Sequence, residues 1–352
     1  MSVDPLGLRF RRDDPGLYGL RVTESEGAEA AFTQGLSQHV RVTERVLPSL
    51  FNVARAVESR LGVAQELSVF VYASPHINAY VCTDDIRGRI VIYVSSSVLT
   101  HLDRDEWSVI IGHELGHHLF GHHRYPRPRQ PEPNLRVYEL MRAAEISADR
   151  VSLLACGCLE TTLRAMLKVA SGLDNSVLDI DVTDYMRQLA DLRDGDGAEW
   201  VFYSTHPPFP VRVRAVVRFD SVLRELWAGG ECPPLIAAID NDVVRDLEAC
   251  SSGRNGRRFE EEAIAAAFWH GALRACDDGK LSAEEQAILS SEFGAERVRS
   301  LKGLIAGAST KEEAIRMLEE RALRARTQVD EAPLIAAVKY DEVVGRLTAR
   351  GL

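Results

Sequence analysis

Two kinds of hydrophobic spacing alternate along this chain. From about Ala28 to Leu61 the apolar residues Val40, Val46, Leu47, Leu50, Phe51, Val53, Ala54 and Val57 follow a helical repeat, which predicts helix there. Leu67–Tyr72 (LSVFVY) and Arg89–Val94 (RIVIYV) are instead β-branched and aromatic and read as strands. Asn78–Cys82 between them is a third, shorter strand candidate. Trp107–Gly121 is apolar enough to be a buried helix, and Asp103-Arg-Asp-Glu106 ahead of it has capping-box spacing. Pro126, Pro128, Pro131 and Pro133 exclude a regular helix from His122 to Pro133. Further helices are predicted over Leu135–Cys156, on to about Leu192, and over Val211–Trp227. A turn at Asp194–Gly197 and a rigid extended segment, Ser204–Pro210, separate them.

Ser251-Ser-Gly-Arg-Asn-Gly256 is the clearest linker, and beyond it only helical patterns occur. These are Glu260–Ala275, Ala283–Glu292, Glu296–Ala306 and Lys311–Arg324, with a turn at Asp277-Asp-Gly279 and a capping box at Ser282-Ala-Glu-Glu285. Residues 1–27 are polar and broken by Pro5, Pro15 and several glycines, and read as an irregular extension. The expected class is therefore α+β. Residues 28–250 form a mostly helical domain with a small β-sheet, 251–256 a linker, and 257–352 a separate all-α domain. A length of 352 residues suits two such domains.

Composition narrows the function classes. The formal net charge of −10 argues against a nucleic-acid surface, which needs a basic patch. The N-terminus lacks an apolar core of signal-peptide length, and no run is long and apolar enough to predict a membrane span. Cys82, Cys156, Cys158, Cys232, Cys250 and Cys276 show no framework spacing, so free thiols and a cytoplasmic location are expected.

The chemistry concentrates at His113-Glu-Leu-Gly-His117, an H-E-x-x-H string inside the predicted buried helix. On a helix, positions i and i+4 lie about 40° apart and one turn above each other. Two imidazoles so placed bind one Zn²⁺, and the Glu between them reaches the water that the ion activates. A hydrolytic zinc site needs a third protein ligand and an open fourth position. Glu145 and Asp149, four apart on the next helix, share one face. Glu145 closes the ligand set, and Asp149 accepts the free N–H of a ligating histidine. His206, held by two following prolines, is the candidate donor to the oxyanion of amide hydrolysis. Arg212 is expected to anchor this segment through an ion pair near the site.

These features, in order, resemble the M48 family of zinc metallopeptidases, gluzincins that include HtpX-like and CAAX-prenyl proteases. The resemblance covers about residues 40–220. It rests on Asn78-Ala-Tyr80, Ile90–Ile92, Leu102–Trp107, His113–His117 with Gly121-His122, Glu145–Arg150, Thr205–Pro208 and Arg212. It implies a zincin-type fold, His113, His117 and Glu145 as ligands of one zinc ion per chain, and Glu114 as general base. It also implies a transition-state role for His206, Asp149 as the acid behind the ligands, and Asn78, Ala79 and Tyr80 as a strand edge that pairs with an extended substrate. Membrane-bound members carry transmembrane helices that this sequence lacks, so a prenylated or lipid-embedded substrate is not implied.

His118, His122 and His123 are expected to be surface or helix-end histidines, with His118 about 140° round the helix from His113. Residues 257–352 resemble a TerB-like helical domain through Ala267–Gln286, which implies a binding or regulatory role with a protein partner. The half calcium loop in that stretch places Arg274 and Cys276 where ligands belong, which argues against a cation there. The combined expectation is a soluble zinc endopeptidase acting on protein or peptide substrates. Its rival is a silent or latent zinc-stabilised peptide-binding protein gated by the C-terminal helices.

Overall fold

The computed structural model describes residues 6–21, 27–84, 88–127, 135–179, 181–194, 201, 204–229, 232–252, 256–332 and 334–352. The predicted turn after Asp194, residues 128–133 of the proline-rich connection and residues 253–255 of the linker lie outside them. The chain divides into two compact units. The first comprises residues 1–127, 140–194 and 204–250; the second comprises 128–139, 195–203 and 251–352.

The first unit is built on a four-stranded sheet. In chain order its elements begin α1 (Ala28–Gln38), β1 (Val40–Arg41), α2 (Pro48–Leu61), β2 (Glu66–Tyr72), β3 (Ala79–Asp84) and β4 (Arg89–Ser95). The spatial order is β1-β2-β4-β3. β2 and β4 run parallel, while β1 and β3 pair antiparallel with their neighbours. Side chains alternate across it, as strand geometry requires. Ile90, Ile92 and Val94 of β4 join Leu67, Val69, Leu50 and Val57 in the main core, while Val91 and Tyr93 face Phe70 and Ala31 on the other side.

The helical reading of 28–61 is interrupted. His39 leaves α1 in an extended conformation, and Val40 and Arg41 pair with Val71 and Phe70. Helix resumes only at Pro48, after Leu47 in a left-handed conformation (φ 59°). Pairing with β2 outcompetes local periodicity here, and proline suits the first helical turn.

The helices that follow are α3 (Ser96–His101), α4 (Arg104–Leu119), α5 (Leu135–Cys156), α6 (Leu159–Ser171), α7 (Val182–Tyr185), α8 (Gln188–Asp194) and α9 (Phe209–Trp227). Residues 6–20 are largely irregular in backbone yet packed: Phe10 is buried with Ala143, Ile146, Ala215 and Val243.

α4 and α5 meet along a seam of small residues. A Cβ on Gly112 would lie 2.4 Å from Ala155 Cβ, and one on Gly116 would lie 2.9 Å from Ala148 Cα. Both glycines are spaced to face α5 on successive turns, so the two backbones touch. Gly112→Ala is expected to destabilise the protein by about 1–3 kcal/mol, because overpacking against Ala155 outweighs the better helix propensity. Gly303→Ala, on an open helical surface, is the control and is expected to be neutral or slightly stabilising. Thermal unfolding of both variants checks this; equal melting temperatures would remove the seam as a packing constraint.

α10 (Cys232–Ser252) follows α9, and then come α11 (Gly256–Ala275), α12 (Ala283–Phe293), α13 (Ala295–Ala306), α14 (Lys311–Glu331) and α15 (Leu334–Thr348). The second unit has its own core of Phe268, Ala272, Leu289, Val298, Leu301, Leu318 and Leu347. α12 opens on the expected capping box of Ser282 and Glu285. No helix among the described residues is long and apolar enough to cross a membrane.

Candidate metal centre

The site is assembled from the start of α4. Glu106 folds back to accept the Asp103 N–H (2.7 Å), closing the capping box. It is fully buried and also meets Lys168 Nζ (2.7 Å) and Arg164 Nε (2.6 Å) of α6. With its first turn pinned, α4 presents His113 and His117 on one face. Their rings lie edge to face at 4.8 Å, and their Nε2 atoms are 3.1 Å apart. Across the glycine seam, Glu145 of α5 sets Oε2 3.4 Å from His113 Nε2 and Oε1 3.3 Å from His117 Nε2.

One ligand atom from each of these three residues lies within 4.8 Å of the others. Glu145 Oε2 is buried and accepts no hydrogen bond from the described residues. Two imidazole nitrogens and a carboxylate are the donor set of a divalent metal site, and the group fits one ion. The surrounding carboxylates favour a positive charge at this point, which a proton or a metal ion can supply. Burial opposes ionisation of Glu145, yet Arg212 and the two histidines outweigh this and hold its carboxyl well below the usual range. Burial likewise opposes a charge on His113, but Asp149 and Glu145 push its imidazole up to about 10.

Around these three the other predicted residues fall into place at different distances. Asp149 Oδ1 is 3.0 Å from His113 Nδ1, the nitrogen turned away from Glu145. Arg212, near the start of α9, grips Asp149 with two hydrogen bonds (Nε to Oδ2 2.8 Å, Nη2 to Oδ1 2.7 Å) and lies 3.2 Å from Glu145 Oε2. Glu114 is 8% exposed and lines the same cavity. Burial pushes its carboxyl up, against the pull of His113 and His117. His206 is largely exposed, with Nε2 3.6 Å from Glu145 Oε1, too long for a hydrogen bond. Its segment is tied to α5 by Arg142, which donates to the Ser204 carbonyl (2.9 Å).

The cavity has a volume of about 280 Å³. Its polar wall includes His113, Glu114, Glu145, Asp149, His206 and Arg212; its apolar wall includes Val98, Val109, Ile110, Met166 and Phe209. Asn78 and Ala79 form its rim at the start of β3, the outermost strand on that side of the sheet. Asn78 is fixed to β4 through main-chain bonding of its carbonyl to the Ser95 N–H (2.9 Å). Tyr80 points the other way: its ring stacks on Tyr93 (4.8 Å between centroids) rather than lining the cavity.

Two further residues stand behind the site. His122, expected at the surface or a helix end, follows the end of α4 but is only 6% exposed, and its Nδ1 lies 2.8 Å from His117 Nδ1. Its Nε2 contacts Asp13, from the irregular N-terminal stretch. His122 belongs to the Gly121-His122 element of the motif run, so the sequence holds a signal for it. Asp13 sits 109 positions away in chain without periodicity and offers none.

Residues 18–127 match Peptidase family M48. A 72-residue stretch is 40% identical to the "Protease HtpX homolog" of Pyrobaculum islandicum and 40% identical to that of Pyrobaculum aerophilum. The homologue from Pyrobaculum calidifontis is 39% identical over the same length. In each case the match covers 20% of this chain and 20% of the relative, so the chain is aligned to about a fifth of the curated proteins it resembles. The family match ends before Glu145, Asp149, His206 and Arg212. No solved structure matches the chain.

Proposed function

We propose that this protein is a zinc-dependent endopeptidase, with His113, His117 and Glu145 holding the ion and Glu114 as general base. The observation that carries this reading is the convergence of those three ligand atoms within 4.8 Å, beside a cavity lined by His113, Glu145 and Glu114. The match of residues 18–127 to Peptidase family M48, and the protease names of the relatives, support it.

When bound, the ion supplies Lewis acidity, polarising the scissile carbonyl and making water acidic enough to attack near neutral pH. The chain's own residues do the rest. Glu114 takes the proton of the attacking water and returns it to the leaving amine nitrogen. Its raised carboxyl suits both halves of that task, since a stronger base accepts the proton and a carboxylic acid delivers it. Asp149 accepts the Nδ1–H of His113, fixing the tautomer that leaves Nε2 free as a ligand. Arg212 neutralises Asp149 and orients it. His206 Nδ1 lies 2.9 Å from the Thr205 hydroxyl. Accepting that hydroxyl proton leaves the ring N–H on Nε2, facing the cavity as a donor to the oxyanion. An extended substrate enters along β3 at Asn78 and Ala79, main chain to main chain, with a side chain against the apolar wall.

The test is cleavage of unfolded β-casein by the zinc-loaded chain, beside Glu114→Gln prepared identically. Cleavage by the wild type alone, lost with 1,10-phenanthroline and restored by zinc, is the expected result. Equal cleavage by both proteins, or none by a wild type carrying one zinc per chain, would overturn the proposal.

A further inference from the structure

His113 and His117 are supported unequally at first sight. His113 has a carboxylate directly on its outer nitrogen, whereas His117 has another imidazole, that of His122. The contacts further out remove the asymmetry. His122 Nε2 is hydrogen-bonded to Asp13, whose side chain is fully buried. The other carboxylate oxygen of Asp13 accepts from the Tyr125 hydroxyl, and Arg9 Nη2 donates to Tyr125 Oη (2.7 Å). The Asp13 carbonyl accepts from Arg9 Nε (2.9 Å) as well.

Ionised, Asp13 only accepts hydrogen bonds, so the contact to His122 requires the proton on His122 Nε2. A neutral His122 then presents a lone pair at Nδ1. His117 Nδ1, 2.8 Å away, must donate to it. That places the His117 proton on Nδ1 and leaves Nε2, the atom facing His113 and Glu145, as a free lone pair. We infer that Asp13, acting through His122, is a positioning residue that fixes the tautomer and ring orientation of His117 as a metal ligand. The segment around Phe10–Asp13 is thereby part of the site's support. This inference rests on the proposed metal centre, and deepens it by adding the counterpart of Asp149.

The segment is well placed for the task. The Phe10 N–H donates to Ser147 Oγ (2.8 Å) on α5, the helix that carries Glu145, and the Phe10 ring packs on Ala143 and Ile146 of the same helix. Asp13 is thus held relative to both the ligand helices. Outer partners of this kind typically change metal affinity by about 10–100-fold when removed.

The test compares wild type with Asp13→Asn, His122→Phe and Val57→Ala in the full chain. Zinc affinity is read by competition with a chromophoric chelator, and the visible absorption of the Co²⁺-substituted protein reports ligand geometry. Asp13→Asn and His122→Phe are expected to weaken zinc binding by about 10–100-fold and to alter the Co²⁺ bands. Val57→Ala, a packing change in the main core away from this segment, is expected to lower the melting temperature while leaving both metal readouts as in wild type. If Asp13→Asn does not fold, His122→Phe decides the matter. Folded variants with wild-type affinity and spectrum would overturn the inference, as would an equal loss of metal binding in Val57→Ala. Failure of the wild type itself to bind zinc or Co²⁺ would instead overturn the proposed metal centre.

Discussion

Glu114→Gln is expected to lower kcat for peptide-bond cleavage by about 10³-fold, within the range of general acid–base contributions, while one zinc per chain remains bound. The variant keeps the volume of the side chain and removes only its ability to carry a proton. Glu114 sits between the two α4 histidines in sequence but is not one of the three converging ligand residues, so the donor set survives the change. Its burial, which pushes the carboxyl up, marks it as the group whose protonation state is poised to change. Steady-state kinetics with one cleaved peptide, together with elemental analysis of zinc, separates the two effects. Activity within tenfold of wild type at full zinc occupancy would remove Glu114 as the base.

The second large effect is expected at the ligands themselves. His113→Ala and Glu145→Ala should each reduce zinc from one per chain to a small fraction, with cleavage falling to background. Stability should follow. An ion that binds only the folded state stabilises it by about 4 kcal/mol at a thousandfold excess over Kd. Added zinc should therefore raise the melting temperature of the wild type and leave both variants unmoved. Glu145→Ala also strips Arg212 of one of its two carboxylate partners, leaving Asp149 to carry the buried guanidinium. Retention of stoichiometric zinc by both variants would refute the ligand set.

The parts of this centre legible in the sequence are those set by local geometry. Helical period alone puts His113 over His117 and Glu145 over Asp149, and the capping box at Asp103 marks where α4 begins. The β-branched runs at 67–72 and 89–94 declare β2 and β4 for similar reasons. What is not legible depends on distant partners. The break at residues 39–47 follows from two residues pairing with β2, which no window around them contains. The burial of His122 depends on Asp13, and the direction of the Tyr80 ring on Tyr93 of the neighbouring strand. α10 and α15 are not among the expected helices, although apolar residues at helical spacing (Ile239, Val243 and Leu247; Tyr340, Val343 and Leu347) make both legible in the sequence.

The glycine seam between α4 and α5 has a consequence for how this centre tolerates change. With Gly112 and Gly116 already bringing one main chain against the other, neither helix has room left to advance. The span from the imidazole pair to residue 145 is then a fixed gauge set by touching backbones, and the glutamate is the side chain cut to that length. A carboxylate one methylene shorter would hang short of the histidines with nothing able to slide in and meet it.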